Sequence, residues 1–208
     1  MNAELPAQLT AQLGRPLPGW TAQVRYQPEL SFGRHRGPAP LSARPAAVLV
    51  LLYPRDGQWH VPLTLRPAHM PDHAGQVSFP GGVVEPGETS RQAASREFSE
   101  ELGAPADRFD VLGRLSPLYL FASNFHIDPW VAATDEVPNW RPSECEVERL
   151  LEIPLSHLVD PRNTGHIERR QRGLAFRAPC FFWENERIWG ATSMILAELV
   201  AGISPLGI

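Results

Sequence analysis

Residues 82–104 read GVVEPGETSRQAASREFSEELGA, and this stretch decides how the rest of the chain is understood. Gly82 is followed after five residues by Glu88, and after seven more by Arg96-Glu97-Phe98-Ser99-Glu100-Glu101-Leu102-Gly103-Ala104. Glu97, Glu100 and Glu101 stand three and four residues apart, which puts them on one face of a helix. Ala93 and Ala94 favour that helix, Thr89 or Ser90 can cap its start, and Gly103 suits its stop. Three like charges on one face repel each other, so the arrangement is unfavourable until a cation joins it. Elsewhere such a helix is most often a solvated acidic face. Here a glycine loop, Phe79-Pro80-Gly81-Gly82, precedes it, and glycines let backbone approach a ligand closely. The local order is therefore strand, glycine loop, acidic helix.

Written as a pattern, the stretch is G-x5-E-x7-R-E-U-x-E-E-x-G-U, with U a bulky apolar residue. It meets the identities Gly82, Glu88, Arg96, Glu97, Glu100, Glu101 and Gly103, and departs only at the small Ala104. Chance would give such a match on the order of once in 10⁸ windows. The chain resembles the Nudix hydrolases. The resemblance implies an α/β fold, an α/β/α sandwich with a mixed β-sheet, over about residues 45–201. It also implies a metal-dependent attack of water on a P–O–P bridge. In that reading Glu97, Glu100 and Glu101 hold Mg²⁺ or Mn²⁺, hard ions suited to an all-oxygen cluster. Arg96 and Glu88 orient the platform, and Gly81 and Gly82 face the substrate. Glu100 is the expected base, with Glu146 or Glu148 as alternatives on a distant loop. A crowded acidic cluster raises some glutamate pKa values when metal is absent, so activity is expected to rise through mildly alkaline pH.

Substrate choice lies outside this box. The segment Leu63–Gly82 resembles the signature of coenzyme A pyrophosphatases, L-L-T-x-R-S/A-x3-R-x3-G-x3-F-P-G-G, at Thr64, Arg66, Gly75 and Phe79 to Gly82. Pro62, Pro67 and Pro71 stand where that signature has Leu, Ser or Ala, and Arg. Leu118-Tyr119 with Ser123-Asn124-Phe125, and Ile188-Trp189-Gly190-Ala191-Thr192, look like the same branch. The implied reaction splits coenzyme A into adenosine 3′,5′-bisphosphate and phosphopantetheine, with weak binding because Pro71 lacks the phosphate-facing charge. Nucleoside di- or triphosphates are the alternative substrates. A non-catalytic nucleotide sensor is the third reading, disfavoured because the box keeps every carboxylate. Arg66 is a candidate phosphate contact or a strand-edge ion pair, and His73 a candidate substrate contact or a solvated loop residue. Trp189 is expected in the core, and Arg170 and Arg172 on one face of a charged edge strand.

Composition sets limits around this. The chain has 208 residues, enough for one domain with extensions, and a net charge of −4 that argues against general nucleic-acid affinity. All 19 basic residues are Arg, which suits phosphate forks. No stretch has the apolar length of a membrane span, and the N-terminus lacks a signal pattern. Cys145 and Cys180 lack metal-site spacing and are expected as reduced thiols in the cytoplasm. The expected partner is a small nucleotide-type molecule, with no nucleic acid and no membrane, and a homodimer is left open.

Leu5, Leu9 and Leu13 predict a short N-terminal helix, and residues 15–44 read as an arm ahead of a domain over 45–208. Ala46 to Tyr53 predicts a buried strand, Asp56-Gly57 a hairpin turn and Trp59 to Arg66 its return. Further strands are expected at Gln76–Phe79, Asp110–Leu115, Ile127–Thr134, Val147–Ile153, His166–Arg172 and Leu174–Trp183. Helices are expected at Pro154–Asp160 and Ala191–Ala201.

Overall fold

The architecture is that of a computed structural model, which describes residues 2–29, 39–70, 73–171 and 173–206. Pro71 and Arg172, both singled out above, lie outside the described residues. The long strand β1 (Arg44–Arg55) organises the molecule. Its side chains alternate between two buried faces. Ala47, Leu49, Leu51 and Tyr53 join one apolar cluster with Ala93, Ala94, Phe98 and Leu102 of the acidic helix. Ala46, Val50 and Leu52 join a second cluster with Ile195, Leu196 and Leu199 near the C-terminus. A strand covered on both faces reads as a continuous apolar run, and the sequence A-A-V-L-V-L-L-Y is such a run.

The turn at Asp56-Gly57, both with positive φ (49° and 74°), returns the chain into β2 (Gln58–Leu65), with Arg55 opposite Gln58. β3 (Val77–Ser78) pairs with the end of β2. The glycine loop is itself a short strand, β4 (Gly81–Val83), antiparallel to β1 with Gly82 opposite Ala47. The expected loop at this stretch is thus a strand in the structure, since nothing local distinguishes two glycines in a strand from two in a turn. β5 (Asp110–Arg114) and β6 (Leu118–Leu120) pair with β7 (Phe125–Ala133), which runs parallel to β1. β8 (Arg149–Pro154) pairs with β2. A second sheet follows, β9 (Thr164–Gln171), β10 (Leu174–Trp183) and β11 (Glu186–Trp189), in the order β11-β10-β9. Parallel and antiparallel pairs together make the mixed sheet expected of the fold.

Five helices are described: α1 (Leu5–Leu13), α2 (Trp20–Gln23), α3 (Ser90–Leu102), α4 (Leu155–Val159) and α5 (Ala191–Ile203). None among the described residues is long and apolar enough to cross a membrane. α1 buries Leu5 and Leu9 in the same cluster as α5, and the Trp59 indole donates to the Asn2 carbonyl at 2.7 Å. After α1 the chain docks on α5 through residues 19 and 23. Glu198 of α5 is 1% exposed, and its carboxylate accepts from the Gly19 N–H (3.0 Å), the Gln23 amide (2.8 Å) and the Ser116 N–H (3.2 Å). Proline and glycine frequency suggested an arm, but a buried acceptor far along the chain captures the segment. Trp189 also departs from expectation. It is half-buried on the outer face of the second sheet rather than in the core, because it lies opposite Cys180, on the face that Phe181 and Ile188 do not share.

Glu198→Ala leaves several buried donors without an acceptor, at an expected cost of about 2–4 kcal/mol. Urea unfolding of the variant and wild type measures it. A loss below about 0.5 kcal/mol would show that residues 19–23 are held by something else.

Candidate active site

α3 begins with a capping box. The Thr89 hydroxyl accepts from the Gln92 N–H, and the Gln92 side chain accepts from the Thr89 N–H at 2.8 Å. Gly103 ends it in the left-handed conformation (φ 67°), where a Cβ would also stand 2.6 Å from that of Arg141. These two stops fix the phase of the helix, and with it the direction in which the carboxylates point.

Glu101 points inward and is 4% exposed. Its carboxylate accepts from the Gly81 N–H at 3.0 Å and from the Thr64 hydroxyl at 3.3 Å. Burial pushes its pKa up to about 7; the Gly81 hydrogen bond and the charge of Arg66 pull down, while Glu146 and Glu97 push further up. Glu97 is half-buried and lies against Gly82, where a Cβ would collide with its carboxylate. Its pKa is also raised, by burial first and by the charges of Glu100 and Glu146, against the opposing pull of Arg96. Gly81 has its own reason to lack a side chain, since a Cβ there would stand 2.7 Å from the Val48 Cα. Both glycines are thus required by close approach, one to a carboxylate and one to a neighbouring strand.

Arg96 joins the loop to the helix. Its Nε and Nη2 fork onto the two oxygens of Glu88 (3.2 and 2.8 Å), and Nη2 also donates to the Val83 carbonyl (3.1 Å). Nη1 donates to Glu97 (2.9 Å) and to Glu100 (3.2 Å). Glu88 accepts in addition from the Glu85 N–H at 2.7 Å, and its pKa lies below the ordinary carboxylate value, chiefly through Arg96. Glu100 is the exposed member of the trio, at 55%.

The remaining candidates are spread around this centre. Arg66 is half-buried, and its Nε is enclosed without a hydrogen-bond partner among the described residues. His73 is exposed on the loop with φ 58°, its Nδ1 3.0 Å from the Gln76 side chain. Glu146 is exposed, but its charge reaches both Glu97 and Glu101, so it faces the cluster. The segment carrying it is fastened to the end of α3. The Arg141 N–H donates to the Leu102 carbonyl and the Ser143 N–H to the Glu101 carbonyl, both at 2.8 Å. The Glu148 N–H donates to the Leu65 carbonyl at 2.8 Å, placing that residue at the end of β2. Sequence reading had named Thr64 only as a signature residue. Its hydroxyl contact is with Glu101, 37 residues further along the chain, and leaves no local trace.

A family model for the NUDIX domain matches residues 43–170, more than half of the chain. The chain belongs to the Nudix family. This Nudix hydrolase is 35% identical over 168 residues to the Nudix hydrolase NudL of Salmonella paratyphi B and, to the same degree, to that of Salmonella newport. Each match spans 79% of this chain and 86% of the relative. Among solved structures it is similar to the MutT protein of Methanosarcina mazei Go1 (TM-score 0.49, 17% identity, 78% of this chain and 96% of that one). It is also similar to a C. elegans Ap4A hydrolase (TM-score 0.46, 25% identity, 53% and 80%).

Members of the family generally use divalent metal ions, and the donors here fit one. Two desolvated carboxylates keep raised pKa values although Arg96 pairs with Glu97 and the charge of Arg66 reaches Glu101, and every donor is a hard oxygen. Among the described residues no three carboxylates stand already gathered to hold an ion, because Arg96 occupies Glu97 and Glu100.

Two predictions follow from the geometry. Gly82→Ala drives a methyl into the Glu97 carboxylate and should lower turnover about 10- to 100-fold with the fold intact, measured by steady-state kinetics alongside circular dichroism. Wild-type turnover in that variant would mean that Glu97 tolerates displacement. In the metal-free protein, native Glu101 keeps its proton up to about pH 7 while the unfolded chain loses it near the ordinary carboxylate value. The folded state therefore binds more protons over that window, and stability falls as pH rises through it. Denaturation of EDTA-treated protein at pH 5 and pH 8 should show the fall, and Glu101→Gln should flatten it.

Proposed function

We propose that this Nudix hydrolase cleaves the pyrophosphate bridge of coenzyme A or its derivatives, releasing adenosine 3′,5′-bisphosphate and 4′-phosphopantetheine. Nucleoside tri- and diphosphates are the second substrate class. The observation that carries the reading is Arg66. It occupies the arginine position of the coenzyme A signature, lies within charge reach of Glu101, and keeps an enclosed Nε without a hydrogen-bond partner among the described residues. An enclosed guanidinium N–H without an acceptor is costly unless a ligand supplies one, and a phosphate oxygen does so well.

Glu97, Glu100 and Glu101 are the residues that would hold Mg²⁺ or Mn²⁺. The chemistry such an ion supplies is neutralisation of the phosphates and acidification of a water. The chain's own residues do the rest. Gly82 lets β4 lie directly against the Glu97 carboxylate and Gly81 lets it pass Val48, and Arg96 with Glu88 keeps loop and helix in register. Water attacks one phosphorus, the bridging P–O bond breaks, and the departing phosphate carries the electron pair away. The water's proton passes to a carboxylate. Glu146 is better disposed for this than Glu100, which is held by Arg96 four residues before it. Glu146 has no ion pair among the described residues, and its charge is felt at both Glu97 and Glu101. His73, tied to Gln76 and exposed, would guide rather than react.

Glu97→Gln and Glu101→Gln should each lower turnover about 10²- to 10⁴-fold at saturating Mg²⁺. Dialysis against EDTA should abolish activity, with Mg²⁺ or Mn²⁺ restoring it. The substrate reading is tested by kcat/KM for coenzyme A against a panel of nucleoside triphosphates. Absence of coenzyme A cleavage moves the nucleoside phosphates into first place. Glu146→Gln and Glu100→Gln, compared for kcat, separate the two candidate bases.

A further inference from the structure

Strand β9 has one free edge, and the neighbouring strand fixes which backbone groups face it. The Arg177 N–H of β10 donates to the Glu29 carboxylate at 2.9 Å, so it points away from β9. Pro179, two residues on, has no N–H to offer β9 at all. Arg177 and Pro179 stand opposite Glu168 and His166. Pairs in an antiparallel ladder alternate between hydrogen-bonded and non-hydrogen-bonded, and these two are of the second kind. The N–H and C=O groups of His166, Glu168 and, by the same alternation, Arg170 therefore face outward. Among the described residues β9 pairs with β10 and with no other strand, and no other hydrogen bond engages those groups. An edge of this kind is a template for another strand, and charge is the usual device that keeps strands off it.

The charges on β9 do not exclude every partner. They select one register. His166, Glu168 and Arg170 are exposed on one face, while half-buried Ile167 and exposed Arg169 lie on the other. A second copy can join this edge antiparallel, about a two-fold axis, only where outward-facing residues meet each other. An axis at Glu168 sets two carboxylates opposite each other, and an axis at Arg169 sets two guanidiniums opposite each other. An axis at His166 sets Glu168 against Thr164 and gains no charge pair. An axis at Ile167 places His166 opposite Glu168 of the second copy, twice by symmetry. It also places Ile167 against its own counterpart and Arg169 against Gly165, which has no side chain. Like charges directly opposite each other destabilise a strand pair, whereas opposite charges and apolar pairs stabilise it. The axis at Ile167 also overlaps the strand from Thr164 to Arg170, nearly its whole length.

We propose that β9 is the edge through which two copies of this chain pair, with the two-fold axis at Ile167. The product is one continuous sheet in the order β11-β10-β9-β9-β10-β11, three strands from each copy. The pairing is independent of which pyrophosphate the enzyme cleaves. A single strand pair buries less surface than a standard interface, so the dimer should dissociate in the micromolar range.

Sedimentation equilibrium of the full chain between about 1 and 100 µM should show a monomer–dimer equilibrium. His166→Glu sets carboxylates opposite each other at two places and should weaken the dimer at least about 10-fold. Adding Glu168→Arg to that variant restores opposite signs across the axis and should recover the dimer. Both positions are exposed, so circular dichroism should not change. Cross-linking reads the register directly, in a Cys145→Ser background that leaves only the buried Cys180. Ile167→Cys brings two Cα atoms to about 4.5 Å as a non-hydrogen-bonded pair, within disulfide reach. It should give a disulfide-linked dimer on mild oxidation. Arg169→Cys leaves its counterpart roughly 13 Å away along the strand and should not. A wild type that stays monomeric across the range would overturn the proposal. So would a dimer indifferent to His166→Glu, a charge-swapped variant that fails to recover it, or cross-linking no better through Ile167→Cys than through Arg169→Cys.

Discussion

Two carboxylates pressed against backbone set the terms for this molecule. Glu101 sits under the Gly81 N–H and Glu97 against the Gly82 Cα, so the acidic helix touches a strand where most strands carry side chains. That contact is possible only because β4 has no Cβ at two consecutive positions. It leaves both acids desolvated with raised pKa values, an unfavourable state that the rest of the structure must maintain. The Arg96 fork, the capping box at Thr89 and the left-handed stop at Gly103 hold the helix so that it cannot turn the acids outward. Ala93 and Ala94, one turn ahead of Glu97 on the same side of the helix, are small enough to let that side pack closely on β1. A bound cation is what relieves a desolvated pair of acids held in this way.

The central strand explains why the rest of the fold can support such a site. β1 is buried on both faces along most of its length, so it is fixed by α3 on one side and α5 on the other. Its antiparallel pairing with β4 and its parallel pairing with β7 then fix the glycines relative to the helix. The N-terminal segment contributes through Glu198, whose carboxylate gathers donors from residues 19, 23 and 116 beneath α5. A buried carboxylate satisfied by neutral donors is specific about which segments may dock, since any mismatch leaves it unpaired.

Local chemistry and long-range pairing differ in how far they can be read in the sequence. The helix, its cap, its stop and the acidic face were legible because each depends on residues within one or two turns. The β1–β2 hairpin was legible from Asp56-Gly57 between apolar runs, and α5 from its apolar period. Strand β4 was not, because its existence depends on Ala46 to Val48, more than thirty residues earlier. Nor was the docking of residues 19–29, whose composition suggests an extended segment until Glu198 is seen to bind it. Trp189 shows the same limit from the other direction. A large indole is usually core, yet the register of β10 and β11 turns it outward, where Arg169 covers it.

These two kinds of information map onto two parts of the site. The platform that would act on the pyrophosphate is built from one continuous stretch, so its geometry is insensitive to how the second sheet sits. The side chains that would meet the substrate and its water from outside the platform, Arg66 and Glu146, come from the loop after β2 and the segment before β8. They are held to the platform by backbone pairings, the Arg66 N–H to the Gln76 carbonyl and the Ser143 N–H to the Glu101 carbonyl. A change in those tethers moves the recognising groups without touching the acids. It therefore alters affinity and selectivity before it alters the chemical step. That separation allows one catalytic helix to serve many pyrophosphates, with loops carrying the difference.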